Sequence, residues 1–227
     1  MLSDVRAAVF DLDGTLLDRR RSFEGFVRDQ WSRFGDILQA VDREEYVRKL
    51  IERDGDGYAP RNELFTGMVA HFELPAALAA TLLDDYRAGF PRACVLFPDA
   101  APTLSLLRGA GMKLGLITNG SVRMQSAKLA CLELSPMFDA ILISDAEGVS
   151  KPKRDIFDRA LERLNVNHAH AVFVCDHPDV DVAGARGAGM RGVWRRDRTV
   201  TRVVEADAVI EEIADLLTLL GVEHQRI

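Results

Sequence analysis

The stretch VRAAVFDLDGTLL, residues 5–17, opens apolar and then breaks at once into acid. Val5, Ala7, Ala8, Val9 and Phe10 read as a short buried strand. Asp11-Leu12-Asp13-Gly14-Thr15 comes directly after it. In an extended segment, residues at i and i+2 share a side, so Asp11 and Asp13 are expected to approach and repel. Such a pair needs a cation between them, a proton on one of them, or both. Gly14 supplies backbone freedom where the strand must bend away. Taken alone, a D-x-D-G segment reads as an acidic turn that caps the next element. The rest of the chain decides between these readings.

The chain has 227 residues, of which 48% are apolar and 28% charged, a balance ordinary for a globular protein with a sizeable core. A net charge of −6 offers no electrostatic case for nucleic acid or an anionic membrane as partner. Cys94, Cys131 and Cys175 are scattered with no C-x-x-C, so neither a disulfide framework nor a zinc site is suggested. The sequence opens without a basic-then-apolar leader, and no apolar run approaches a membrane span. The expectation is a cytoplasmic protein; its oligomeric state is left open.

The patterning then falls into two regimes. Between Arg20 and Phe90 the apolar residues recur at helical spacing. Phe23, Phe26, Val27, Trp31 and Phe34 mark one helix, and Tyr46, Val47, Leu50 and Ile51 another. Leu64, Phe65, Met68, Val69 and Phe72 mark a third. The segment LPAALAATLLDDYRAGF reads as a fourth, opened by Pro75 and closed by Gly89 and Pro91. From Pro98 the rhythm becomes helix and strand in alternation. Strands are expected at Lys113 to Ile117, Ala140 to Ile143, Ala171 to Val174, Gly192 to Trp194 and Ala208 to Ile210. Continuous apolar strands separated by helices imply a parallel sheet covered on both faces. The expected fold class is α/β, a Rossmann-like doubly wound parallel sheet. Residues 1–19 and 91–227 form its core, and an all-helical segment, 20–90, is inserted after the first strand.

In open parallel sheets, ligands bind at the carboxyl ends of the strands. Asp11 and Asp13 come after the first strand, and Thr118-Asn119-Gly120-Ser121 after the second. Lys151 stands after the third, and Cys175, Asp176, Asp179 and Asp181 after the fourth. These are the groups phosphate chemistry uses. A carboxylate can attack phosphorus and divide a hard step into two. Hard Mg²⁺ prefers oxygen ligands and shields the nucleophile from an anionic phosphate. A hydroxyl and backbone N–H groups at a helix start can hold phosphate oxygens. A lysine supplies positive charge to the transferring group. A second carboxylic acid can protonate the leaving oxygen and then activate water.

DLDGTL (Asp11–Leu16), ITNG (Ile117–Gly120), Lys151 in SKPKRDIF and CDHPDVDVAGARGAG (Cys175–Gly189) stand in the order and spacing of one family. On these motifs the chain resembles the haloacid dehalogenase-like (HAD) hydrolase superfamily. The resemblance covers the whole α/β core, and it implies that the helical insert is a cap of the type placed between the first two motifs. It further implies that Asp11 is the nucleophile, and that Asp13 is the general acid/base and lends its backbone carbonyl to Mg²⁺. Thr118 would bind phosphate with help from Asn119 and Gly120. Lys151 would bind phosphate and Asp11. Asp176 would ligate Mg²⁺, so that the metal set is Asp11, Asp13 and Asp176. Asp181 would orient Lys151 or hold a metal-bound water. The position before Asp176, usually Gly in the family, is Cys175 here and reads as a tolerated small residue rather than a reactive thiol.

The dehalogenases of this superfamily lack an acid at the position of Asp13. A phosphate ester needs a proton delivered to its leaving alcohol, whereas displaced halide does not. Asp13 therefore favours a phosphatase: Mg²⁺-dependent, acting on a small soluble phosphomonoester through an aspartyl-phosphate. A phosphomutase of the same fold and a catalytically weak binding or regulatory protein are the alternatives. His177 reads as a capping or rim residue, and Asp179 stays open between a metal-water partner and a helix-start acid. Arg19, Arg20 and Arg21 read as a solvated hinge. Trp31, Phe34 and Phe65 read as core of the insert, and Asn62 and Glu63 as residues at a helix start. Gly184, Gly187 and Gly189 read as close packing and a helix stop; no G-x-G-x-x-G comes after the first strand.

Overall fold

Ala7, Ala8, Val9 and Phe10 are all fully buried, as a central parallel strand requires. They form β1 (Ala7–Phe10) in the computed structural model, which describes residues 2–197 and 204–222. Five helices come next: α1 (Arg19–Arg33), α2 (Gly35–Leu38), α3 (Arg43–Asp54), α4 (Arg61–His71) and α5 (Leu78–Ala93). The chain then alternates through α6 (Ala100–Gly109), β2 (Lys113–Thr118), α7 (Val122–Cys131) and β3 (Ala140–Ile143). It continues through α8 (Ser144–Glu147), α9 (Arg154–Leu164), β4 (Ala171–Cys175), a π-helical turn (Pro178–Val182) and α10 (Ala183–Gly187). β5 (Arg191–Arg195), β6 (Ala208–Ile210) and α11 (Asp215–Leu219) complete it. The last residues, 223–227, lie outside the described residues.

The sheet is six-stranded and parallel throughout, in the order β3-β2-β1-β4-β5-β6. This is the α/β doubly wound class. β1 and β4 lie side by side, with Phe10 opposite Val174, and the Asp11 N–H continues the ladder to the Val174 carbonyl at 3.0 Å. The acids after these two strands are thereby delivered to one edge. Ala7 and Val9 face one side, where Ile156, Phe157, Ala160 and Leu161 of α9 and Ala185 of α10 cover them. Helix α6 packs beneath β2, and α11 packs on α6.

The chain divides into two compact units, Met1–Leu17 with Leu96–Ile227, and Asp18–Val95. The second is helical, and its ends are tied to each other: the Asp18 N–H donates to the Val95 carbonyl at 3.0 Å, and the Val95 N–H to Ser22 Oγ at 2.9 Å. The division falls at 17/18 and 95/96. Phe23, Phe26, Tyr86 and Phe90 form the unit's aromatic core, with ring centroids 5.1–6.5 Å apart.

Three local expectations need correction. α5 does not end at Gly89: it runs through Pro91 to Ala93, because buried Phe90 stacks on Tyr86 and Pro91 forfeits one backbone bond in the last turn. Arg19 is not solvated. It is buried and forms a two-pronged pair with Asp54 at 2.6 and 3.0 Å, while Arg61 bonds the same carboxylate; Arg20 and Arg21 are exposed. Gly184 does lie against Pro152 and Phe157, and Gly189 has φ +89°, but open space surrounds the Gly187 position, so it has no packing role. Phe65 is buried, Trp31 and Phe34 are half-buried, and Asn62 and Glu63 lie exposed in the first turn of α4.

Candidate active site

Asp11 lies just past β1, Asp176 just past β4, and Asp181 in the π turn beyond it. One carboxylate oxygen from each lies within 4.8 Å of the others. Lys151, 5% exposed, reaches into this group and donates to Asp11 Oδ1 at 2.5 Å and Asp181 Oδ2 at 3.0 Å. Three acids against one base leave an excess of negative charge in a buried place. Burial pushes the Asp11 carboxyl up to about 6 even though Lys151 pulls the other way. Burial, with Asp11 and Asp181 adding to it, pushes Asp176 up to about 8. Burial alone would lower the Lys151 ammonium, but Asp11 and Asp181 hold it well above its ordinary value. All the donors are hard oxygens, and the excess charge is what a divalent cation would neutralise. The residues present therefore fit Mg²⁺.

Local backbone makes this crowding possible. Gly14 has φ +83°, and a Cβ there would land on the Asp176 carboxylate. Only glycine lets the turn after β1 approach so closely. The Gly14 carbonyl accepts from Arg195 Nη1 at 2.9 Å, and the Asp176 carbonyl accepts from Trp194 Nε1 at 2.9 Å, so β5 steadies both loops. Thr15 Oγ1 stands 3.5 Å from both Asp11 Oδ2 and Asp176 Oδ1. Cys175 turns the other way, into the apolar core with Phe157 and Val182. Burial raises its thiol well above the ordinary value, so it is an inert filler there.

The carboxylate of Asp13 does not join the other acids. Strand β1 ends at Phe10, and Asp13 lies beyond it in an isolated bridge to Leu17, so Asp11 and Asp13 do not share one face of a continuous strand. The Asp13 side chain swings to α7 instead. Lys128 Nζ donates to its two oxygens at 2.7 and 2.8 Å, and Gln125 Nε2 to Oδ2 at 3.0 Å. The same Gln125 amide donates to Thr118 Oγ1. Lys128 and Gln125 are both buried, and the motifs of the sequence do not point to either. Their signal was present: positions 125, 128 and 129 share one face of α7, and that buried face carries Gln and Lys beside a single Leu.

Two expected phosphate contacts are already engaged. The Asn119 side chain clasps the Lys151 backbone, accepting from its N–H at 3.0 Å and donating to its carbonyl at 3.1 Å. The Gly120 N–H donates to Ser144 Oγ at 2.9 Å. Asn119 thus aims Lys151 at the acids. His177 caps the π turn, its Nδ1 accepting from the Val180 N–H at 3.1 Å, and Asp179 lies exposed outside the acidic group.

The family model for haloacid dehalogenase-like hydrolases matches residues 5–189. The chain belongs to the haloacid dehalogenase-like hydrolase family. Within that family it stands with phosphatases. It is 29% identical to the glyceraldehyde 3-phosphate phosphatase of Pyrococcus furiosus, over 97% of this chain and 95% of that protein. It is 29% identical to the ribulose-1,5-bisphosphate 5-phosphatase of Halopiger xanaduensis, over 95% of this chain and 99% of that one. Among solved structures, the HAD phosphatase from Thermococcus onnurineus is 30% identical and superposes with a TM-score of 0.66, covering 97% of this chain and 100% of that one. Among the described residues, no helix of this hydrolase is long and apolar enough to cross a membrane.

Proposed function

We propose that this hydrolase is a cytoplasmic, Mg²⁺-dependent phosphatase that cleaves a small phosphomonoester through an aspartyl-phosphate on Asp11. The observation that carries this reading is Lys151. A buried ammonium bridges Asp11 and Asp181 at the carboxyl edge of the sheet, with Asp176 in the same acidic group. Pairing with Lys151 favours the ionised form of Asp11, the form that attacks. Its oxygen bonds to phosphorus as the bond to the leaving alcohol breaks, and Asp13 gives that alcohol its proton. Asp13 then takes a proton from water, which attacks phosphorus and releases Asp11. Lys151 balances charge on the transferring group throughout, and Asp181 keeps Lys151 in place. Thr118 donates its hydroxyl to a phosphate oxygen. Mg²⁺, held by Asp11, Asp176 and the Asp13 carbonyl, would neutralise phosphate charge that otherwise repels the nucleophile.

The helical segment after β1 serves in this reading as a cap that selects the leaving group and excludes bulk water. The relatives named for glyceraldehyde 3-phosphate and ribulose-1,5-bisphosphate support a short phosphorylated sugar as substrate. The test is phosphate release from a panel of three- to six-carbon sugar phosphates, nucleoside monophosphates, flavin mononucleotide and phosphoglycolate. Release should require Mg²⁺, stop with chelator and vanish in Asp11→Asn. Folded, Mg²⁺-bound protein that releases phosphate from none of them would overturn the reading.

A further inference from the structure

No step of that reaction uses the Lys128–Gln125 pair on α7. A buried lysine is costly unless it is paired and hydrogen-bonded. An α/β protein of this kind covers its sheet with apolar helix faces, so a Leu at either position would be the simpler choice for packing. Lys128 instead grips both oxygens of Asp13, at 2.7 and 2.8 Å. Gln125 adds a third contact to that carboxylate, at 3.0 Å, and ties it to Thr118. The donors sit one helical turn apart, on a helix whose first turn is capped by Ser121 and pinned by the Val122 N–H to Asp145 at 3.0 Å. Asp13 itself sits between a strand end and a glycine, in an isolated bridge to Leu17 and outside every helix and strand of the sheet. Its orientation is therefore supplied from α7.

We infer that Lys128 and Gln125 are positioning residues for Asp13, holding its carboxylate between the two halves of the reaction. This rests on the reading of Asp13 as general acid and base. When Asp13 gives its proton to the leaving alcohol it becomes a carboxylate, and Lys128 stabilises that product. The proton balance is closed when the same carboxylate takes a proton from the attacking water. Neither Lys128 nor Gln125 exchanges a proton. A group acting this way matters most where the leaving alcohol most needs a proton. An alkyl phosphate needs it, whereas 4-nitrophenyl phosphate, whose phenolate leaves unaided, does not.

The experiment compares kcat and KM on glycerol phosphate and on 4-nitrophenyl phosphate, with Mg²⁺, for the parent protein, Asp13→Asn, Lys128→Met and Lys128→Arg. General acid–base groups contribute about 10²–10⁴-fold, so Asp13→Asn should lose at least about 100-fold on the alkyl phosphate and far less on the aryl one. Lys128→Met should show the same pattern at lower amplitude. A drop of about tenfold in kcat on glycerol phosphate is expected, with about twofold or less on the aryl ester, KM little changed, and recovery in Lys128→Arg. If Lys128→Met does not fold, Lys128→Gln removes the charge while keeping a donor against Asp13 and carries the same test. Equal losses on both substrates, or no loss on either, would overturn the role of Lys128 while leaving Asp13 as acid. Absence of any leaving-group dependence in Asp13→Asn would instead remove the acid reading, and the positioning role with it.

Discussion

Gly14 shows how narrowly single residues set this site. Its positive φ and its closeness to Asp176 leave no room for a side chain. Gly14→Ala must strain the turn, displace Asp176, or both. A strained left-handed residue costs about 1–3 kcal/mol. Urea denaturation should register a loss of that size, and phosphate release should fall with it, because Asp11 and Asp176 no longer share one place. A variant as stable and as active as the parent would show that the turn relaxes freely. Lys151 illustrates the opposite situation. Its charge is legible as a need of the chemistry, but its aim depends on Asn119, whose side chain is committed to the Lys151 backbone.

At the scale of elements, α8 is a short turn that needs an anchor. Glu147 provides it: Arg163 donates to both its oxygens at 2.8 and 2.9 Å, and Arg159 donates to its carbonyl at 2.7 Å, so α8 is fastened to α9. The Arg163 bonds hold the Glu147 carboxyl below its usual range against some burial. The unfolded chain then binds the Glu147 proton more readily than the folded one, so this contribution is complete above the ordinary carboxylate value and is lost as pH falls through the lower folded value. Both arginine side chains are nearly half exposed, which limits the gain. Glu147→Gln should cost about 1 kcal/mol or less in urea denaturation at pH 7, and the gap should narrow as the pH falls below the ordinary carboxylate value. A gap that persists in acid would mean that packing of α8, rather than the ion pair, is the anchor. α7 carries the other lesson at this scale: its two buried polar residues mark a helix that serves the site and does not merely cover the sheet.

For the whole molecule, the acidic group is a standing cost of folding that a cation would relieve. In metal-free protein Asp176 is raised to about 8 and Asp11 to about 6. A raised carboxyl binds its proton more tightly in the folded state, so these groups make stability fall as pH rises from about 4 towards 8. Thermal denaturation in chelator should show that decline, and Mg²⁺ should reverse it. At 100 times its dissociation constant a ligand adds about 2.7 kcal/mol, which raises Tm by roughly 5–10 °C for a chain of this size. Asp176→Asn should remove the Mg²⁺ shift and raise Tm in chelator at the alkaline end of that range. An Asp176→Asn protein that still responds fully to Mg²⁺ would move the metal elsewhere.

The order of amino acids was enough for the parallel α/β class, for the extent of β2, β3, β4 and β6 to within a residue, and for the family, because each rests on local chemistry. Continuous apolar runs separated by helices bury as strands of a two-sided sheet, and strand ends rich in acid, hydroxyl and amide groups make a ligand edge. The same logic singles out Asp11, Lys151, Asp176 and Asp181, and in the structure they meet. Which acids face one another was settled in three dimensions, since a carboxylate's partner depends on the path of the turn that carries it. Asp13 turns from Asp11 to Lys128 and Gln125, residues whose polarity is visible in the sequence but whose target is not. Likewise Arg19 became a buried partner of Asp54 instead of a solvated hinge, because the pairing spans 35 positions of chain and no local pattern records it.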